Sequence, residues 1–272
     1  MVKSIALIFH ENERTRDLPN FALWHLAEIW QKEGIKVTAL FGVRKYIPAD
    51  LAILHVDLTV VPQEYIEFAH RYPFALNENL RNIKKSLISK NKVRLDDGYE
   101  GRVIVKSELN YAGQPERKLL GTPWSRLAFR VGCRLPFYHA NIPGPRPRFS
   151  SPTDYIILES PRFVPESWFH RDDLLVEKFI PEMQDGLYCV RLYHFLGNRG
   201  ACFLRKSRLP VVNTSTVIQR ERVEVHPEIA KLTKSMGFDY GKFDYVMHED
   251  KPVLLDANKT PGAGKTASFA SI

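Results

Sequence analysis

Cysteine is scarce: Cys133, Cys189 and Cys202 are the only three in 272 residues, an odd number without CxxC spacing. This excludes a disulfide framework, and because two of the three lie in apolar strand-like runs, they read as buried thiols of a reducing compartment. Long apolar runs are also missing. The longest, Leu51 to Val61, is interrupted by His55 and Asp57, and the opening MVKSIALIFHENE has too short an apolar part for a signal peptide. Neither export nor a membrane span is expected, which leaves the cytoplasm. The histidines nowhere take the i, i+4 spacing of a zinc helix and no GxSxG occurs, so zinc and serine hydrolases lack support. Gly264-Lys265-Thr266 looks like the tail of a P-loop, yet the first glycine of that motif falls on Lys259 and too little chain follows for the required helix. Internal repeats and low-complexity tracts are absent too.

What is present suits a water-soluble globular chain: 44% hydrophobic residues can bury one sizeable core or several small ones. The net charge of +8 is spread along the chain rather than gathered on one element with interleaved aromatics. It therefore points to an anion site or a diffuse surface excess, and away from nucleic acid.

The first part alternates strand and helix. Ser4 to His10 reads as a strand, Leu23, Leu26, Ala27 and Trp30 recur at helical spacing, and strands follow at Lys36 to Leu40, Leu51 to Val56 and Phe74 to Leu76, with a helix at Gln63 to Arg71. These make a βαβ lobe over residues 1–76. Residues 77–272 form the rest, divided into lobes 77–176 and 177–272. Glu78 to Lys90 is patterned as a helix, Arg102 to Ser107 as a strand, and 125–165 has little periodicity. Beyond it come strands at Leu174 to Ile180, Leu187 to Leu196, Ala201 to Lys206, Phe243 to Met247 and Val253 to Ala257, with one helix at Pro227 to Met236.

The chemistry concentrates in GKFDYVMHEDKPVLLDANKTP, Gly241 to Pro261, which reads as a hairpin. Asp256 and Asn258 share a strand face because side chains repeat every two residues, and Asp244 joins them from the partner strand. Three hard oxygen donors at one end of a hairpin suit Mg²⁺ with phosphates as the remaining ligands. Lys106 ends an apolar strand, where an ammonium requires an anion. The following Asn110 to Gly113 turn can offer backbone N–H groups to phosphate, and either Lys84 or Lys85 can face the same site. In LLVEKFIPEMQDGLY, the main chain of Glu177, Lys178, Phe179 and Ile180 can meet an adenine edge while Glu182 or Asp185 accepts from ribose hydroxyls.

In this order the segments resemble the ATP-grasp superfamily, and in particular small bacterial members ending in DxNKTPG. The resemblance runs from about Phe74 to Gly262. It implies an α/β (α+β) ATP-grasp fold, with an N-terminal βαβ domain followed by two α+β lobes clasping ATP. It further implies that Lys85 and Lys106 grip the ATP phosphates, that Glu177 to Ile180 form the adenine hinge with Glu182 on the ribose, and that Arg191 and Arg205 neutralise the γ-phosphate or an acyl phosphate. Asp244, Asp256 and Asn258 match the Mg²⁺ ligands, although the usual Glu-x-Asn is here Asp-x-Asn. Lys259, beside them, is the candidate for holding an acidic small-molecule substrate. The activity implied is an ATP-dependent ligase that turns a carboxylate into an acyl phosphate for an amine or thiol. A small-polyol or sugar kinase and a nucleotide-binding module without turnover are the alternatives.

Overall fold

The computed structural model describes residues 2–122, 124–125, 149 and 151–263. Cys133, most of the 125–165 segment and Gly264 to Thr266 lie outside the described residues. Strands β1 (Ser4–Phe9), β2 (Lys36–Phe41), β3 (Leu51–Leu54) and β4 (Ala75–Leu76) form a parallel sheet in the order β2-β1-β3-β4. β1 from Ile5 onward and all of β3 are apolar because both faces are covered. Helix α1 (Ala22–Lys32) packs Leu23, Leu26 and Ala27 on Leu7, Phe9 and Ile53, while α2 (Gln63–Ala69) packs Tyr65, Phe68 and Ala69 on Ile8, Leu54 and Val56.

The helix expected over Glu78 to Lys90 shrinks to α3 (Lys85–Ile88). Upstream of it the chain runs alongside Thr59 to Val61 instead. The Val61 N–H donates to the Arg81 carbonyl at 2.8 Å and the Ile83 N–H to the Thr59 carbonyl at 3.0 Å, a tertiary pairing that overrides local helical preference. Asn77 begins this segment at φ 60°. Its side chain accepts the Asp239 N–H at 2.9 Å and donates to the Tyr240 carbonyl at 2.8 Å, which fastens the parallel sheet to the last sheet of the chain.

A second, antiparallel sheet contains β5 (Val103–Ser107), β6 (Ile156–Leu158) and β7 (Leu174–Lys178), in the order β6-β5-β7. Between β5 and β6 lies α4 (Gln114–Leu119), and α5 (Glu166–Phe169) precedes β7. Val103, Val105 and Val176 pack with Trp168 in one core. Ile104 and Lys106 alternate with the β5 valines and so face the other way.

The third sheet is antiparallel: β8 (Glu182–Gln184), β9 (Leu187–Leu196), β10 (Arg199–Ser207), β11 (Val217–Val223), β12 (Tyr240–His248) and β13 (Lys251–Asn258). Its order is β11-β10-β9-β12-β13, with β8 also paired to β9. Tyr193, Phe195, Phe243 and Tyr245 pack on one face against Ile229 of α6 (Pro227–Ser235). The opposite face floors the cleft described below. β12 and β13 join through Glu249 and Asp250 at φ 48° and 61°, the left-handed pair whose twist matches flanking antiparallel strands. β6, β8 and β11 carry no alternating signal strong enough to expect from sequence; β11, VIQRERV, is an edge strand with polar residues on both faces. Among the described residues, no helix is long and apolar enough to cross a membrane.

Candidate functional site

A cleft separates the β6-β5-β7 sheet from the large sheet. Strand periodicity decides what faces it: Ile104 and Lys106 from β5; Tyr188, Val190 and Leu192 from β9; Arg205 from β10; Lys242, Asp244 and Val246 from β12; Asp256 and Asn258 from β13. Phe179 and Ile180, in the connection after β7, close one end.

The acidic corner of this cleft is set by the β12–β13 register. Asp244 lies directly opposite Asp256, and Lys242 opposite Asn258, so all four share a face. A register shift between Asp244 and Tyr245 puts a bulge beside the carboxylates, and the pairing resumes at Tyr245 and Leu254. Asp244 Oδ2 accepts from Lys242 Nζ at 2.8 Å, whereas its Oδ1 is buried without a hydrogen-bond partner among the described residues. Asp256 Oδ1 lies 3.9 Å from Lys85 Nζ. Asn258 Oδ1 accepts the Thr260 N–H at 2.8 Å, which leaves that oxygen a second lone pair. Among the described residues, no three His, Cys, Asp or Glu side chains group as a metal site. Two carboxylates and an amide oxygen nevertheless fit Mg²⁺ when phosphate and water complete its shell. The uncommitted Asp244 Oδ1 is the atom that calls for a cation there.

Cations face this corner. Lys85 is buried and donates to the Leu109 carbonyl at 2.7 Å. Lys106 is paired with Glu177, both side chains being buried; its anion is therefore supplied by the protein. Burial holds the Arg205 guanidinium below its ordinary range, with Asp244 pulling upward and Arg220 downward. Its Nε has no partner among the described residues. Between these charges His194 stands opposite Lys242. Burial, then Lys242, Arg205 and Arg220, depress its pKa well below the ordinary value, so its imidazole is neutral at pH 7.

The turn after β5 closes over the same end. Tyr111, Ala112 and Gly113 take φ of 44°, 55° and 71° in succession. Two consecutive non-glycine residues in the left-handed region store strain of about 1–3 kcal/mol each, a cost concentrated at ligand clamps. The Arg117 guanidinium braces the turn through the Ala112 carbonyl at 2.7 Å. The Asn110 N–H is already donated to Thr59 Oγ1 at 2.8 Å, so that group is not available to a phosphate.

The structure does not bring every expected residue to the cleft. Arg191 pairs with Leu204 across β9 and β10, while Arg205 pairs with Val190, which puts the two arginines on opposite faces. Arg191 instead holds Glu182 in a two-pronged contact, Nη2 to Oε1 at 2.8 Å and Nε to Oε2 at 3.1 Å. Glu182, which also accepts the Met247 N–H at 2.8 Å, is thereby committed to the protein rather than to a ribose. Asp185 occupies the β8–β9 turn with Gly186 at φ 52° and 76°, its side chain 90% exposed and away from the cleft. Lys259 points opposite to Asn258, toward the loop after β3. There it donates to the Leu58 carbonyl, and burial, against the pull of Asp57 and Glu116, lowers its pKa to about 8. In the hinge, the Lys178 and Phe179 N–H groups donate to the carbonyls of Asn91 and Arg102, each at 2.8 Å. The Ile180 N–H is the first without a partner among the described residues.

Three cleft residues escape sequence reasoning. Lys242 carries the signal of lying two before Asp244, hence on its face. Tyr155, whose phenol is kept protonated by burial with Asp256 and Glu177 adding to the effect, lies in a segment without periodicity. Asn213 belongs to an aperiodic loop after β10.

No family model matches the chain, and no curated protein matches it in sequence. Solved structures similar to it include the D-alanine–D-alanine ligase of Bacillus anthracis, at 13% identity, covering 98% of this chain and 91% of that one, with a TM-score of 0.48. A RimK domain ATP-grasp protein from Sphaerobacter thermophilus has 12% identity over 98% and 94% of the two chains, TM-score 0.47. A Chryseobacterium gregarium RiPP-associated ATP-grasp ligase, solved with ADP and a leader and core peptide, has 11% identity over 96% and 90%, TM-score 0.44.

Proposed function

We propose that the cleft binds Mg-ATP and that the chain is an ATP-grasp ligase, transferring the γ-phosphoryl group to a carboxylate. The observation that carries this reading is the opposed Asp244 and Asp256 pair, one oxygen without a partner among the described residues, facing Lys85, Lys106 and Arg205 across a cleft with an apolar far end. That end, Ile104, Val190, Leu192 and Ile180, suits an adenine ring, with the Ile180 N–H as hydrogen-bond donor to its edge. Lys178 and Phe179 contribute the hinge backbone and a side-chain wall.

Phosphoryl transfer asks a protein chiefly for positioning and charge neutralisation. Lys85 and Lys106 hold the phosphates, and Arg205 faces the group being transferred. Asp244, Asp256 and Asn258 would hold Mg²⁺, which when bound neutralises charge on the β- and γ-phosphates. The acceptor's carboxylate oxygen forms a bond to the γ-phosphorus as the bond to the β–γ bridging oxygen breaks and ADP leaves. An amine or thiol then attacks the acyl carbon, loses its proton, and displaces phosphate. Lys242 and Arg205, rather than Lys259, are placed to meet the acidic acceptor.

Screening ADP release against pooled amino acids and sugar acids tests the reading. ADP and phosphate released only when a carboxylate and a nucleophile are both present support a ligase. ADP with a stable phosphorylated product and no second nucleophile would mark a kinase, and nucleotide binding without ADP release from any pool a non-catalytic module.

A further inference from the structure

We propose that Asp57, in the loop after β3, is a positioning residue for the metal corner and acts on Asn258 through Thr260; this rests on reading Asn258 as a Mg²⁺ ligand. Thr260 Oγ1 lies 2.5 Å from Asp57 Oδ1 and 3.1 Å from Asn258 Oδ1, and the Thr260 N–H donates to that same Asn258 oxygen at 2.8 Å. A hydroxyl has one proton, and the carboxylate is the nearer and stronger acceptor. The proton therefore points to Asp57. This fixes the Thr260 rotamer, which in turn keeps the Thr260 N–H on Asn258 Oδ1.

The Asn258 amide, which lines the cleft, is thus held by the Thr260 N–H on one lone pair of Oδ1 and spared the Thr260 hydroxyl proton on the other. Asp57 is itself immobilised: its neighbours Val56 and Leu58 are buried, and the Lys259 ammonium is anchored on the Leu58 carbonyl beside it. Glu13 and Glu116 also face Asp57. Asp57, 203 residues before Thr260 in sequence, thereby supplies the outer shell of a ligand on β13. Such outer-shell partners orient ligands, and their loss costs about 10–100-fold in metal affinity.

The test uses the full chain with Mn²⁺ as probe, its affinity in the presence of ATP read by electron paramagnetic resonance, alongside melting temperature without ligand. Thr260→Val keeps the backbone N–H and the shape but lacks the hydroxyl. It should weaken Mn²⁺ binding by about tenfold or more, with Thr260→Ser restoring the wild-type affinity and Asp57→Ala reproducing the loss. Wild-type Mn²⁺ affinity in a folded Thr260→Val or Asp57→Ala protein overturns the positioning role and leaves the nucleotide reading standing. Absence of ATP-dependent Mn²⁺ binding by the wild type overturns both.

Discussion

The Lys106 ammonium and the Glu177 carboxylate form a buried pair across β5 and β7, with side chains 9% and 3% exposed. A lysine at this position has two duties: it compensates Glu177 in the empty protein, and under the proposed function it meets phosphate in the complex. Lys106→Met should therefore weaken ATP binding and also destabilise the fold, by about 3–5 kcal/mol, because a buried charge is left uncompensated. Chemical denaturation and ATP titration of Lys106→Met and of Lys106→Met/Glu177→Gln separate the effects. The double variant should regain stability but not affinity.

Asp256→Asn preserves shape and hydrogen-bonding capacity but removes one charge from the metal corner. Turnover should fall by on the order of a hundredfold or more, the scale of losing one preorganised electrostatic group. ATP affinity measured without Mg²⁺ should change modestly, since Lys85, Lys106 and the hinge remain. The comparison is ADP release and nucleotide titration for the two proteins with an identified acceptor, and equal turnover would remove Asp256 from the site.

Arg191 and Arg205 should part company on substitution. Arg205→Ala should lower turnover with little loss of stability, since its guanidinium is penalised by burial and its Nε has no partner among the described residues. Arg191→Ala should instead lower the melting temperature, because Glu182 loses its buried partner. Equal catalytic losses at matched stability would contradict the assigned faces.

His55 is buried with neither ring nitrogen hydrogen-bonded among the described residues, and it packs on Phe9, Phe21 and Tyr240. Burial, followed by Lys259, lowers its pKa to about 3. The unfolded chain therefore takes up a proton near pH 6.5 that the folded protein refuses. The stability this contributes is present above pH 6.5 and is lost as pH falls toward 3, by up to about 1.4 kcal/mol per pH unit. Denaturation midpoints between pH 3 and 7 should show a flatter acid limb in His55→Phe than in the wild type.

Much of this architecture is legible in sequence because periodicity reports burial. β1 and β3 are continuous apolar runs buried on both faces, and the D-x-N spacing of Asp256 and Asn258 places both on one face whatever the rest of the sheet does. Arg191 is different. Its face depends on pairing register between β9 and β10, where a shift of one residue inverts every side chain, and single-strand spacing carries no such information. Glu182 and Asp185 lie where a connector was expected, but the D-G pair between β8 and β9 is a hairpin turn. Lys259 is a buried lysine that only the Leu58 carbonyl, 201 residues away in sequence, explains, and the helix expected at Glu78 yields to pairing with Thr59 to Val61.

Titration calorimetry of the wild-type chain with ATP, in the presence and absence of Mg²⁺, tests the central claim most directly. Binding at a single site, strengthened by Mg²⁺ in the wild type and much less so in Asp256→Asn, is the predicted result. No measurable binding of ATP or ADP with Mg²⁺ by the folded wild-type protein would contradict it.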